Sequence, residues 1–219
     1  MNGIIFDLDG VLVDSMPVHY KGWKTAFEEI ASLQVDERSV YLLEGMRGID
    51  LAEEIFKKYN YLDVSNAKLV TKRKDEVFRS EMKVNPYDKV NEILQQLECI
   101  KGIVSGAAKE DVVSIMNRSF QNIAFDIVLT GDDIKRGKPE PEGFNLFVNR
   151  MKLDPSSVLV VENAPLGVEA AKRAGMESVV VLNNSPLKTE DFTHLIARDN
   201  IYPETKSLKA KLVGWCNRE

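Results

Sequence analysis

Four short apolar runs alternate with stretches of helical periodicity through the second half of this chain, and that alternation restricts its fold more than any other feature. The runs cover 100–104, 125–129, 157–161 and 178–182, while the helical patterns cover 88–97, 109–120, 142–151 and 165–174. Runs of this length are too short for helices and have the length of buried strands. Their valine-rich, almost uninterrupted apolarity fits strands covered on both faces, as in a parallel sheet with helical crossovers. The punctuation agrees: Pro165 sits just inside the start of one helix and Gly175 just past its end. The fold class expected is α/β, built on a parallel sheet.

A different pattern fills 15–84. His19, Trp23, Ala26, Phe27 and Ile30 form a stripe at helical spacing, and further helical patterns cover 37–44, 50–59 and 65–82 with almost no strand signal. Asn85-Pro86 ends the stretch, because proline disfavours helix in the residue before it. The expected organisation is a core of 1–14 and 85–219 with an all-helical insertion, 15–84. At 219 residues the chain is long enough for this, and 44% hydrophobic with 29% charged residues is an ordinary globular composition.

The first strand, Gly3-Ile4-Ile5-Phe6, runs directly into Asp7-Leu8-Asp9-Gly10. In extended backbone Asp7 and Asp9 share a face, and two neighbouring carboxylates repel unless a cation binds or one keeps its proton. In parallel sheets ligands bind beyond the carboxyl ends of the strands, where this chain also carries Ser105-Gly106, Glu162-Asn163 and, just before a helix, Lys138. Taken singly these residues are a polar loop, a turn serine, a surface lysine and, for Asn163, a helix cap; Asp14 before Pro17 invites the same capping reading. Together they supply what phosphoryl transfer requires. Asp7 is then the nucleophile and a metal ligand, Asp9 the acid and base, Ser105 and Lys138 the clamps on phosphate oxygens, and Glu162 and Asn163 further metal ligands.

Composition narrows the rest. A net charge of -5 gives no general attraction to nucleic acid or to anionic lipid, and Lys72-Arg73-Lys74 reads as the solvated face of a helix. With two histidines, His19 and His194, and two cysteines, any metal is expected on oxygen ligands, which points to magnesium. Cys99, beside Leu97 and Ile100, reads as a buried free thiol. No apolar run approaches the ~18 residues of a membrane span and the first residues enter a strand without a leader, so a cytoplasmic protein is expected.

The segments Asp7-Leu8-Asp9-Gly10-Val11-Leu12-Val13-Asp14-Ser15, Ser105, Gly137-Lys138-Pro139-Glu140-Pro141 and the run from Val161-Glu162-Asn163-Ala164-Pro165 to Gly175-Met176 stand in the order of four motifs. In them the chain resembles the haloacid-dehalogenase-like hydrolase superfamily, in its branch with a helical cap, which includes beta-phosphoglucomutase and phosphoglycolate phosphatase. The resemblance implies a Rossmann-like core, a mobile cap, an aspartyl-phosphate on Asp7, acid/base work by Asp9, and magnesium held by Asp7, the Asp9 carbonyl and the fourth motif. It also brings in His19, Arg47 and Gly106 as substrate-side residues. Two departures stand out: Asn163 replaces the usual aspartate of the fourth motif, and Leu51 with Ala107-Ala108 occupy places where the mutase carries donors to a second phosphate. The expected activity is hydrolysis of a small phosphorylated metabolite, by a monomer or weak homodimer. A sugar-phosphate mutase and a non-catalytic phospholigand-binding protein are the alternatives.

Overall fold

The structure, a computed structural model, describes residues 1–218. Six parallel strands form one sheet: β1 (Gly3–Phe6), β2 (Ile100–Val104), β3 (Ile127–Leu129), β4 (Val158–Glu162), β5 (Glu177–Val181) and β6 (Ile201–Tyr202), in the order β3-β2-β1-β4-β5-β6. Strand β1 lies centrally, with Gly3 paired to both Ile100 and Val158. This is a doubly wound order: the chain goes from β1 outward through β2 and β3 on one side and returns to β4, β5 and β6 on the other.

The alternation of side chains along β1 sorts the core into two layers. Ile4 and Phe6 face one layer with Val90, Ile93, Leu94, Val112 and Ile115, whereas Ile5 faces the other with Phe144, Phe147, Ala170 and Ala171. The helices supplying these layers are α5 (Val90–Gln95), α6 (Lys109–Ser119), α7 (Glu142–Met151), α8 (Pro165–Arg173) and α9 (Lys209–Cys216).

Between β1 and β2 the chain is helical, in α1 (Met16–Ala31), α2 (Glu37–Leu42), α3 (Gly48–Lys58) and α4 (Ala67–Glu81). These helices bury a core of their own, Trp23, Phe27, Leu51, Ile55, Phe56 and Val70 among it. The stretches entering and leaving this insert run side by side: the Asp14 amide donates to the Asn85 carbonyl at 2.9 Å and the Tyr87 amide to the Leu12 carbonyl at 3.1 Å.

Several expectations are corrected here. Cys99 is not a free thiol; it is disulfide-bonded to Cys216, with Cα atoms 5.1 Å apart. Helix α9 had no clear sequence signal, and it is α9 that carries Cys216 back beside the residue preceding β2. Lys74 does not belong to a solvated face: it is buried with Val70, Val77 and Phe78 of the same helix, whereas Arg73 pairs with Glu29 at the surface. Strand β3 begins at Ile127, two residues later than expected; just before it the Asp126 amide still donates to the Lys101 carbonyl, while the Asp126 carboxylate accepts the Lys101 amide at 2.9 Å. Asp14 caps nothing; Ser15 occupies the cap position of α1, and Asp14 accepts the Tyr87 hydroxyl at 3.2 Å. No helix among the described residues is long and apolar enough to cross a membrane.

Candidate active site

The carboxyl ends of β1, β2 and β4 meet under the insert. Asp7, the first residue past β1, is almost fully buried, and its carboxylate contacts the Lys138 ammonium, which also contacts Glu162 at the end of β4. Lys138 is held from below as well, 3.4 Å from the Val104 carbonyl and above the Phe144 ring. One ammonium between two buried carboxylates cannot neutralise both. Burial therefore dominates at Asp7, opposed by Lys138 and reinforced by Glu162 and Asp9, and its pKa rises from 3.8 to about 7. Lys138, although buried, is pushed upward by Asp7 and Glu162 and stays an ammonium.

Asp9 has the opposite surroundings. Burial raises its pKa, but His19, Ser15 and Lys74 outweigh that and bring it to about 2. Its Oδ1 accepts the Ser15 hydroxyl at 2.5 Å and lies 3.0 Å from His19 Nε2, while Oδ2 is 3.4 Å from the Ser105 hydroxyl. The His19 ring stacks on Phe78 at 4.0 Å between centroids; burial and Lys74 depress its pKa, with Asp9 pulling the other way. The two aspartates, one residue apart in sequence, thus differ in proton affinity because they look at different neighbours.

Two glycines make this packing possible. Gly10 has φ +75, and a Cβ there would stand 2.1 Å from Asn163 Nδ2; at Gly167 a Cβ would stand 2.0 Å from the Glu162 carboxyl carbon. Both Glu162 oxygens are engaged, Oε1 by Lys138 and Oε2 by the backbone amide of Asn163 at 3.2 Å. Asn163 is not a helix cap: Ala164 holds that position in α8. Its Nδ2 donates to Glu44 Oε2 at 2.6 Å, and its Oδ1 has no partner although buried.

Between the strand ends and the insert lies a cavity of about 230 Å³, lined by Asp7, Asp9 and Ser105 from below and by His19, Glu44, Arg47 and Lys74 from above. Gly106, Leu51 and Ala107-Ala108 line it too. Arg47 is partly exposed at its rim, with its guanidinium donating to the Lys135 carbonyl. The residues expected to converge do converge. Glu44 and Lys74 went unrecognised; the spacing of Lys74 from Val70 and Phe78, four residues each way along one helix face, was the available signal for the second, and no signal marked the first.

No three His, Cys, Asp or Glu side chains among the described residues are grouped as a ready-made metal centre. Magnesium does not require one, since it binds through one or two carboxylates, water and substrate phosphate. The orphaned, buried Oδ1 of Asn163, beside Gly10 in the same motif-built crevice, is an acceptor of the kind a hard cation takes.

The family model for haloacid dehalogenase-like hydrolases matches residues 4–181, and the chain belongs to that family. Among its relatives, a phosphorylated carbohydrates phosphatase of Thermotoga maritima is 28% identical over 82% of this chain and 84% of its own length. The fructose-1-phosphate phosphatase YqaB of Escherichia coli is 30% identical over 82% of this chain and 95% of its own. The beta-phosphoglucomutase of Bacillus subtilis is 26% identical over 87% and 88%. The crystal structure of a hydrolase from Pseudomonas syringae superposes with a TM-score of 0.83 at 20% identity, covering 97% of this chain and 98% of that one, and shares the fold. The protein is an enzyme of the phosphoric monoester hydrolase type, with the family's Rossmann-like sheet.

Proposed function

We propose that the protein is a magnesium-dependent phosphatase of small phosphorylated sugars, and that residues 15–84 act as a cap over a core of 1–14 and 85–219. The observation that carries this reading is the pairing of Asp7 with Lys138 and of Asp9 with His19, Ser15 and Ser105 at the floor of one cavity. An Asp7 carboxylate oxygen attacks phosphorus, the bond from phosphorus to the sugar oxygen breaks, and Asp9 delivers a proton to that oxygen. Water then attacks the aspartyl-phosphate, Asp9 takes its proton, and the bond from phosphorus to Asp7 oxygen breaks to release phosphate. His19, Ser15 and Lys74 favour the ionised form of Asp9; the negative charge of an arriving phosphate raises its proton affinity, so that it can carry a proton in the first step. Lys138 and Ser105 supply donors to the transferring oxygens. Bound magnesium, held by Asp7, the Asp9 carbonyl and Asn163 Oδ1, would offset the charge of the carboxylates and the phosphate.

The substrate class follows from the cavity and from the names of the relatives: a volume of about 230 Å³ suits a small metabolite, and both phosphatases named above act on phosphorylated sugars. A sugar-phosphate mutase is the second reading, and Lys74 is the observation that favours it. A buried ammonium at the top of the cavity is a donor that Leu51 and Ala107-Ala108 do not provide. A panel of sugar monophosphates, assayed with magnesium for phosphate release and with a bisphosphate primer for isomerisation, separates the two; isomerisation without phosphate release would overturn the phosphatase reading. A cytoplasmic location is proposed, but the Cys99–Cys216 disulfide pulls the other way, because reducing compartments keep thiols reduced. Alkylation of protein taken directly from cells decides that point, and gel filtration decides between monomer and weak homodimer.

A further inference from the structure

Glu44 lies in the turn after α2, on the insert, yet its side chain is more than nine-tenths buried against the core. Its Oε2 accepts Asn163 Nδ2 at 2.6 Å, and next to it the Gly45 carbonyl accepts the Lys138 amide at 3.2 Å. Two buried oxygens are left over, Glu44 Oε1 and Asn163 Oδ1, neither with a hydrogen-bond partner. An unmatched buried acceptor is costly, and two of them in one contact, at the edge of a crevice that also holds Asp7 and Asp9, mark a place for a cation.

The chemistry of the pair fixes its orientation. Glu44 Oε2 accepts in this contact, and a primary amide has a donor end and an acceptor end. Facing Glu44, Asn163 must present its NH₂, and its oxygen is the end that remains for a metal. The aspartate usual at this place in the family would put two carboxylates in contact across the same 2.6 Å. Asn163 is therefore matched to Glu44, whose pKa is raised well above the usual carboxylate value by burial and by Asp7, Asp9 and Glu162, so that the pair adds no further charge to the crevice.

We infer that Glu44 is a positioning residue: by accepting the Asn163 amide from across the interface it turns Asn163 Oδ1 to the magnesium subsite, so that closure of the insert and metal binding assist each other. The assistance is reciprocal, since a cation that binds better to the closed form shifts the protein towards it. The inference rests on the magnesium reading proposed above.

Calorimetric titration of magnesium chloride into the metal-free full chain tests it without any turnover. Glu44→Ala removes the acceptor and is expected to weaken magnesium binding about 10–100-fold, the usual cost of losing a group that orients a metal ligand. Glu44→Gln keeps an oxygen for the amide and is expected to stay within about threefold of the parent, a rescue that distinguishes orientation from the mere presence of charge. Asn163→Asp alone gains nothing because it faces Glu44, while Asn163→Asp combined with Glu44→Gln binds more tightly than either single variant, a coupling that independent sites would not show. The double variant preserves the shape of both side chains, so the test survives if the alanine variant folds poorly. Parent-like affinity in folded Glu44→Ala, or equal tightening by Asn163→Asp with and without Glu44, overturns the inference alone. A parent chain that takes up no magnesium overturns the magnesium reading and the inference with it.

Discussion

The two halves of the candidate site are built in opposite ways. The floor is made by strand ends: Asp7 and Ser105 follow β1 and β2, Glu162 ends β4, and Lys138 reaches them from the loop before α7. The sheet's hydrogen bonds fix these residues relative to one another, as chemistry at a phosphorus atom requires. The roof, with Glu44, Arg47 and Lys74, stands on an insert that has its own core and meets the rest of the chain through polar contacts and through two shared apolar clusters, with Phe78 in one and Met16 and Tyr41 in the other. His19 belongs to the roof by sequence and to the floor by contact, since its ring holds Asp9. On the proposed reading, the contrast makes reaction type and substrate choice separable in this chain, the first assigned to the floor and the second to the roof.

The sharpest way to break this division is Asp7→Asn. It is expected to abolish phosphate release and phosphoenzyme trapping from every substrate while the chain still folds, because a buried carboxylate is replaced by a neutral group. Residual turnover above background in a burst assay would show that the floor does not act through Asp7. Asp9→Asn comes next, with a loss of about 10²–10⁴-fold in turnover, the range typical of general acid-base catalysis. That loss is greater for alkyl phosphates, whose leaving oxygen needs a proton, than for p-nitrophenyl phosphate; equal losses would assign Asp9 to another role.

Substitution in the roof gives a different signature. Lys74, its ammonium over the Trp23 and Phe78 rings, lines the cavity without touching Asp7. Lys74→Met is expected to lower kcat/KM about 10–100-fold, the cost of one lost hydrogen bond to a charged group, mostly through KM and unequally among sugar phosphates. A uniform fall in kcat would move Lys74 from the roof's function to the floor's.

The smallest expected effect is on stability. Asp7 binds its proton more tightly in the folded chain, at about 7 against 3.8, so the folded state holds more protons between those values. Its contribution to stability is complete below pH ~4 and is lost as pH rises through about 7. Asp9, lowered to about 2, acts in the opposite sense, and only between pH 2 and 4. Melting temperatures of the metal-free protein should therefore fall from pH 5 to pH 8, and less steeply in Asp7→Asn. An identical slope in both would remove Asp7 as its source.

The same division explains what could be read from the chain. Each floor residue except Lys138 sits at a strand end, and strand ends were marked by short apolar runs; β2 falls on 100–104 as expected, and β4 is displaced by one residue. The roof was legible as helices but not as a surface. Lys74 was hidden by grouping it with Lys72 and Arg73, although a helix turns each neighbour to a different face. Glu44 was invisible because its partner, Asn163, is distant in sequence and meets it only after the insert has docked. Strand β6 has two residues, too few for any periodicity. Helix α9 is placed mainly by Trp215, whose indole nitrogen donates to the Gly3 carbonyl at 3.1 Å, a tertiary contact that no local pattern announces.

The paired stretches at Asp14 and Asn85 have a consequence for how such enzymes diversify. Because the two ends of the insert are hydrogen-bonded to each other, the sheet beneath sees almost the same boundary whatever lies between them. Lengthening a closed loop costs little, with each doubling adding only about 0.6 kcal/mol. A helical segment of other length and composition is thus exchangeable at this junction as a cassette, and a graft that retains Ser15 and His19, the residues of the insert that hold Asp9, is the natural way to recode the substrate.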